Sequence, residues 1–510
     1  MFSKIISGTI YGLDSYLINV EVDFSQGLPC FVMVGSLKNE VRESAERVRI
    51  ALKNMGITIP PMHISINLSP ADIKKSGTGF DLPIALGVLM AMGRINENAL
   101  KDTLVLGELG LNGEIKRVNG VMPIVWTGVK NGIRKCIVPV DNVKEAALID
   151  GVKIIGALDI NQAMEYLNAT DENEKNTIIT PVTQTFRTAS GAYDIDFSDV
   201  YGQEGLKRGA LIAAAGKHHI LLMGPPGTGK TMIAKRIQTI LPPLSTNECM
   251  DVTAIYSIAG KLSDKRPVID KRPFVSPHHT VSPQGMAGGG SIPRPGAISL
   301  AHKGILFLDE LPEFQRKTID MLREPLEEKC INITRAVGSF DYPADIMLVA
   351  AMNPCPCGYY PNNNKCNCTP VSIKHYLSHI SGPILDRIDI CLTAERLNVS
   401  KFQSKSNGLS SKDMLSMVLK ARDIQAKRYE DETYSTNAEL DNAGIKKYCE
   451  LGAAQRELLE GLSNKLDLSA RAYHRLLRVA RTIADIDGEE QIKTHHITEA
   501  VCFRPQLPNV

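Results

Sequence analysis

The chain opens on strict alternation. MFSKIISGTIYGLDSYLINV places apolar and polar residues in turn, the period of two that a half-buried strand requires. Up to about residue 167, the β-branched runs ISINLS, TLVLGEL, KCIVPV and VKIIGA interleave with helical stretches such as VRESAERVRIALKNMG and FDLPIALGVLMAMG. That pattern predicts a first domain over 1–167 of α/β or α+β type. Residues 168–190 are polar and threonine-rich without helical period, and read as a linker. From 191 to 393 the order becomes helix, strand, glycine loop, helix, as in a nucleotide-binding α/β core. From 394 to 510 the apolar spacing is helical throughout (MLSMVLKARDIQAKRY, YHRLLRVARTIADI), which predicts a helical bundle.

Composition narrows the class. A chain of 510 residues exceeds one ordinary core, and 43% hydrophobic with 22% charged residues describes a globular protein. No run of 18 apolar residues occurs, so no membrane span is expected. The N-terminus lacks the apolar stretch and small-residue cleavage site of a signal peptide, and a cytoplasmic location is expected. A net charge of +2 neither demands nor excludes nucleic acid, since a basic channel can sit inside a neutral total. Of eleven cysteines, seven are scattered singly and four cluster, which suits a reducing compartment and a metal site better than a disulfide framework.

The most informative motif lies in the middle of the chain. Gly224, Pro225, Pro226, Gly227, Thr228, Gly229, Lys230 and Thr231 fit G-x-x-x-x-G-K-[ST], between the apolar run HHILLM and the helical run TMIAKRIQTIL. Glycines let the backbone wrap closely around phosphates, so that N–H groups and a helix N-terminus face the anion. Lys230 would pair with the β- and γ-phosphates of ATP, and Thr231 would hold Mg2+. Downstream, the apolar run GILFL ends in Asp309 and Glu310. Asp309 would join the magnesium shell, and Glu310 would activate the attacking water as general base. A third apolar run, DIMLVAAMN, ends in Asn353, whose amide can orient that water or merely fill a buried turn. Arg387, in SGPILDRIDI, suits stabilisation of phosphoryl charge, a role often supplied in trans. Arg471, Arg475 and Arg478 share one helical face; Arg471 is the candidate to reach nucleotide, with a solvated basic face expected of the other two.

The four clustered cysteines are Cys355, Cys357, Cys366 and Cys368. Two C-x-C pairs flank the turn-rich segment GYYPNNNK, and four thiolates from such a hairpin can surround one tetrahedral Zn2+. Free or redox-active thiols are the alternative.

Taken in order, PHHTVSPQGMAGGGSIPRPGAISLAHKGILFLDELPEF, AAMNPCPCG, ILDRIDI and SARAYHRLLRVARTIAD closely resemble the magnesium-chelatase-like AAA+ ATPases of the ComM/YifB family. The resemblance spans nearly the whole chain. It implies an α/β P-loop AAA+ core, an N-terminal Lon-protease-like α/β domain and a C-terminal helical lid. It also implies a hexameric homo-oligomeric ring, with Arg387 as trans-acting finger and Arg471 as lid sensor. For ComM-type members it implies a DNA helicase driving branch migration on single-stranded or branched DNA during transformation. Residues 273–302 look like an insertion, and in similar motors such inserts face the pore, so His278, His279, Arg294 or Lys303 would touch a threaded strand; bracing of the insert is the other role for the histidines.

GELGLNGEIKRVNGVMPI and INLSPADIKKSGTGFDLPIAL look like the core of Lon-type protease domains. Lon chemistry needs a serine activated by a lysine. An ungapped reading places the serine at Gly79 and the lysine near Gly128, with Lys74, Lys75, Ser76 and Lys130 close by, and so predicts a non-proteolytic scaffold. Gly35-Ser36-Leu37-Lys38 departs from the Gly-Leu-Pro-Asp type turn usual in relatives. Three other functions compete with the helicase: a metal-chelatase motor, disfavoured by the fused Lon-like domain; an ATP-dependent protease, disfavoured by the missing dyad; and a motor that remodels protein complexes.

Overall fold

The computed structural model describes residues 1–182, 193–263, 265–290, 293–335, 338–362, 364–395 and 408–504. The first domain is built on a seven-stranded sheet in the order Cys30–Val34, His63–Ser69, Asp14–Ser25, Phe2–Tyr11, Thr103–Val105, Lys135–Pro139, Lys153–Ala157. Its opening strands pair antiparallel, from Phe2 opposite Asp23 to Tyr11 opposite Asp14, as the alternating N-terminus predicts. The last three strands run parallel. Helix Asp81–Ala91 is apolar on every face and wholly buried, as its sequence requires.

One segment departs from the sequence reading. Within the expected linker, Glu172–Ile178 forms a helix capped by Asp171, whose carboxylate accepts from the Glu174 backbone N–H at 2.7 Å. Ile179 is buried in the first domain's core, and the Val182 backbone N–H donates to the Ile154 carbonyl at 2.9 Å. So few apolar residues leave no visible period, yet one cap and one buried isoleucine suffice to dock the segment. The rest of the linker lies outside the described residues.

The central core is a five-stranded parallel sheet in the order Phe274–Val275, Ile305–Leu308, Met347–Met352, Ile220–Met223, Ile390–Thr393. Its strands are buried on both faces, and for that reason read as unbroken apolar runs. Phe274–Val275, which the sequence reading placed inside the insertion, is the edge strand of this sheet. Nearer its tip the insert forms a short antiparallel pair, Gly288–Gly289 with Arg294–Pro295.

The C-terminal region is helical, with elements Ser411–Arg428, Asn442–Tyr448, Ala453–Leu466, Ala470–Ile486 and Thr494–Cys502. It shares one apolar cluster with Phe197, Leu206, Ile220 and Ile237 of the central core, so lid and core are one packed unit. A buried polar chain stitches them together. His218 Nδ1 lies 3.1 Å from Asp389 Oδ2 and its Nε2 lies 2.8 Å from Thr482 Oγ1. Asn437 Nδ2 donates to Thr482 Oγ1 at 3.0 Å and to Asp485 Oδ2 at 2.8 Å. Asp485 also accepts from Arg428 at 2.5 and 2.9 Å and from Arg481 at 3.1 Å. No helix among the described residues is long and apolar enough to cross a membrane.

Because Asp485 is 1% exposed and collects two guanidinium groups, Asp485→Ala leaves both buried charges without their partner. Such a loss costs about 3–5 kcal/mol. The expected outcome is an earlier denaturant midpoint for the core–lid unit, followed by far-ultraviolet circular dichroism. A midpoint equal to wild type would show that the chain of hydrogen bonds contributes little.

Candidate active site

Strand Ile220–Met223 delivers Gly224 to the carboxyl edge of the central sheet, where the chain turns through a loop into helix Lys230–Ile240. Gly227 and Gly229 hold φ of 77° and 87°, the left-handed region that other residues disfavour. At Gly224 a Cβ would stand 2.5 Å from the Ala394 carbonyl oxygen, so only glycine lets the loop leave its strand here. Thr228 Oγ1 donates to the Pro225 carbonyl at 2.8 Å, which fixes the curl of the loop. Lys230 Nζ donates to the carbonyls of Gly224 and Pro225 at 2.7 and 3.0 Å and to Asn353 Oδ1 at 3.0 Å. Burial pushes its ammonium below the ordinary lysine value, against the pull of Asp309 and Glu310.

The acids arrive on strand Ile305–Leu308, separated from the loop's strand by Met347–Met352. Thr231 Oγ1 donates to Asp309 Oδ2 at 2.9 Å, so the two expected Mg2+ ligands already meet. Glu310 has φ 54°, a left-handed turn that reverses the chain straight after the strand and leaves its carboxylate about half exposed. His279 Nδ1 lies 3.6 Å from Glu310 Oε2, and the His278 and His279 rings are 4.1 Å apart. The pair thus sits beside the general-base candidate at the tip of the acid-bearing strand. A residue missed altogether is Gln203, whose Nε2 donates to the Glu395 carbonyl at 2.7 Å and to the Thr228 carbonyl at 3.4 Å. Its signal was the Gly202-Gln203 turn, where both φ are positive.

The other insert candidates lie elsewhere. Lys303 Nζ donates to Asp345 Oδ2 at 2.8 Å, and Lys217 bonds the same carboxylate. Burial opposes it, but the two ammonium groups hold Asp345 well below the usual carboxylate range. Lys303 is therefore a structural cation of the sheet rather than a free contact for a threaded strand. Arg294 is exposed and lines a cavity of about 380 Å³ with Ser76, Thr78, Gly79 and Gly120 of the first domain. In that domain Gly79 borders this cavity, Gly128 sits inside the buried helix Val121–Lys130, and Lys75 turns to the Pro70 carbonyl.

Arg387 and Arg471 are brought together. Arg387 pairs with Glu327, Arg471 Nη1 lies 3.6 Å from Asp386 Oδ2, and both line one cavity of about 500 Å³. None of residues 224–231, Asp309 or Glu310 lines it. Arg475 and Arg478 do not form the solvated basic face expected of them. Arg475 is buried and donates to the Leu385 and Ile388 carbonyls at 2.9 and 2.8 Å, and Arg478 donates to the Ala438 carbonyl at 2.7 Å. Main-chain acceptors from the central core hold Arg475, and one from the C-terminal region holds Arg478.

Directly after Asn353 the four clustered thiols converge. The Sγ atoms of Cys355, Cys357 and Cys366 are 3.4, 3.6 and 3.8 Å apart, and with Cys368 all four lie within 4.8 Å of one another. None of the eleven cysteines, all of them among the described residues, is in a disulfide. Burial raises the Cys357 thiol, but the Tyr359 backbone N–H and the neighbouring thiols outweigh it and hold it at about 6.

Comparison with known proteins agrees with this layout. Residues 196–402 match the family described as magnesium chelatase, subunit ChlI; residues 20–142 match subunit ChlI of Mg-chelatase, and residues 408–504 its C-terminal region. YifB of Escherichia coli (strain K12) is 43% identical over 97% of this chain and 95% of its own length. Competence protein ComM of Haemophilus influenzae is 39% identical over 97% of this chain and 96% of its own. Lon protease 2 of Bacillus subtilis is 30% identical over 131 residues, 25% of this chain and 23% of its own length.

Two substitutions separate binding from turnover at this edge. Lys230→Ala removes the only cation seen among the loop carbonyls, and binding of a fluorescent ATP analogue is expected to fall at least tenfold. Glu310→Gln is expected to bind that analogue normally and to turn ATP over about 10²–10⁴ times more slowly. Full turnover by Glu310→Gln in a steady-state phosphate-release assay would remove Glu310 as general base.

Proposed function

The chain belongs to the ComM/YifB family of magnesium-chelatase-like AAA+ ATPases, and from that membership we propose that it is a ring-forming, ATP-driven DNA helicase that promotes branch migration in transformation or recombination. The observation that carries the ATPase half is the convergence of Lys230, Thr231, Asp309, Glu310 and Asn353 at one sheet edge. Lys230 releases its carbonyl partners to bind phosphate oxygens. Thr231 and Asp309 would hold Mg2+, which when bound neutralises charge on the β- and γ-phosphates. Glu310 takes the proton of the attacking water and Asn353 orients that water, with Arg387 of the next subunit facing the charge that builds on the transferred group.

The ring is supported by what one subunit lacks. Arg387 and Arg471 share a cavity that no phosphate-loop residue lines, so both arginines serve the neighbour's nucleotide in this reading. DNA as the substrate is supported by similarity to a protein named for competence. Single-stranded or branched DNA is the expected form. The reading includes a hexameric ring, a cytoplasmic location suited to free thiols, one Zn2+ in the four-thiol pocket, and a first domain that acts as scaffold rather than protease. The family's description as a magnesium-chelatase subunit favours the other reading, an ATPase motor of metal-chelatase type or one that remodels protein complexes.

Branch migration of a synthetic four-way junction decides between them. The expected result is ATP-dependent migration by the wild type and none by Lys230→Ala. ATPase activity that no DNA stimulates, with no migration, would support the protein-remodelling motor instead.

Arginines acting across a subunit boundary also predict complementation. Arg387→Ala and Glu310→Gln chains are each expected to hydrolyse little ATP alone. Mixed before assembly, they are expected to regain turnover, because an Arg387→Ala site then receives its finger from a Glu310→Gln neighbour. No recovery on mixing would place Arg387 in its own subunit's chemistry or outside the chemistry altogether.

A further inference from the structure

The four-cysteine lobe stands where catalysis would feel it. A tetrahedral tetrathiolate zinc with bonds of about 2.3 Å has sulfur–sulfur edges of about 3.8 Å. The three observed separations of 3.4, 3.6 and 3.8 Å lie at or just below that edge. Cys355 is fully buried and is only two residues from Asn353.

The lobe is tied to three parts of the catalytic edge. Gly358, at φ 82°, packs so closely on the phosphate loop that a Cβ would stand 2.6 Å from Pro226 Cδ and 3.6 Å from Asn353 Cγ. Directly after Cys368, Thr369 caps helix Pro370–Ser378, accepting from the Ser372 backbone N–H at 3.2 Å. From that helix the buried Tyr376 packs in one apolar cluster with Met352, the residue before Asn353. At its far end His379 Nδ1 donates to the Pro312 carbonyl at 2.8 Å, two residues beyond Glu310. The segment therefore leaves the sheet at Asn353, folds around four sulfurs, and returns both to the strand end at Met352 and to the turn after the general base.

We propose that Cys355, Cys357, Cys366 and Cys368 bind one Zn2+ whose task is to brace Asn353 and the Glu310 turn, so that the metal sets the rate of ATP hydrolysis without touching nucleotide. This rests on the assignment of Asn353 and Glu310 to hydrolysis. The cysteines are positioning residues. Without the ion, only a turn-rich loop links Asn353 to its helix, and four thiols at these distances are left to oxidise. Nucleotide affinity changes little, because the phosphate loop and Lys230 are anchored by strand Ile220–Met223 and helix Lys230–Ile240, and the lobe touches them at Pro226 and Asn353 without carrying either.

The test uses full-length protein in four forms: wild type, C366S/C368S, Cys357→His and Asn353→Ala. The expected wild type carries one zinc per chain by mass spectrometry and, loaded with Co2+ instead, shows the visible bands of a tetrahedral tetrathiolate. C366S/C368S is expected to lose the metal and about tenfold or more in kcat, while the Kd for a fluorescent ATP analogue moves less than about threefold. Cys357→His, which restores a ligand, is expected to keep zinc and most of kcat. Asn353→Ala is expected to keep zinc and lose kcat. Wild type with well under one metal per chain after reconstitution overturns the site. A metal-free variant with unchanged kcat, or one that loses nucleotide binding as well, overturns the brace. Wild type that carries zinc yet hydrolyses no ATP sinks the motor assignment, and the brace with it, while the metal site stands.

Discussion

Everything at the catalytic edge depends on the register of three parallel strands. Met223 lies opposite Met352, so Gly224 and Asn353 leave the sheet at one level, and Leu308 lies opposite Ala350, so Asp309 leaves it two residues earlier. A slip of one residue moves a strand end by about 3.3 Å. That exceeds the 3.0 Å contact between Lys230 Nζ and Asn353 Oδ1 and would also part Thr231 from Asp309. The register is kept by burial of all three strands on both faces, where any slip would mis-seat every side chain at once. Hydrophobic packing far from solvent thus sets polar distances at the surface. The site contributes little to its own assembly.

Backbone strain sits at the two ends of the acid-bearing strand. Lys303 before it and Glu310 after it are both non-glycine residues at positive φ, 55° and 54°. Each such residue costs about 1–2 kcal/mol. Hydrogen bonds offset it locally. The Lys303 backbone N–H donates to the Asp345 carbonyl at 2.8 Å while its ammonium bonds the Asp345 carboxylate. At the other end the Glu310 N–H donates to Asp309 Oδ1 at 3.0 Å, and the Glu313 N–H donates to the Glu310 carbonyl at 2.8 Å. A relaxed extended residue at 310 would carry the chain onward and aim the carboxylate away from the phosphate loop. The strain is the means by which two adjacent acids point to different tasks.

What could be read from the sequence follows from how local each feature is. The phosphate loop was legible because glycine positions, a lysine and a hydroxyl at fixed spacing encode both conformation and chemistry within eight residues. The acid pair and Asn353 were legible as ends of apolar runs. The four cysteines were legible as a cluster, though whether C-x-C pairs could close to sulfur–sulfur distances of 3.4–3.8 Å needed the fold. Features set by distant partners were not legible. Arg475 and Arg478 look like a solvated face until the carbonyls of Leu385, Ile388 and Ala438 arrive from other elements. Lys303 looks free until Asp345 is beside it. Phe274–Val275 is too short to stand out as a strand, and helix Glu172–Ile178 is too polar to show a period.

The first domain also acquires a physical sense from its contacts with the motor. Glu145 is 1% exposed, and burial raises its pKa, yet its carboxyl accepts from Ser257 Oγ at 2.6 Å, from the Met122 N–H at 3.1 Å and from Asn142 Nδ2 at 3.2 Å. Ser257 belongs to helix Thr246–Ile258 of the central core, and its hydroxyl oxygen also accepts from the Gly120 N–H at 3.0 Å. A carboxyl kept buried without the Ser257 donor would be left short of a partner, so this shared hydrogen bond ties the first domain to the central core. The same face borders the cavity where Gly79 stands at the expected serine position and Arg294 of the insert reaches in. A working hydrolase would need that cleft open to substrate and furnished with a nucleophile. Here Gly79, Ser76 and Thr78 of the first domain share the cavity wall with Arg294, so the insert meets the first domain at this cleft.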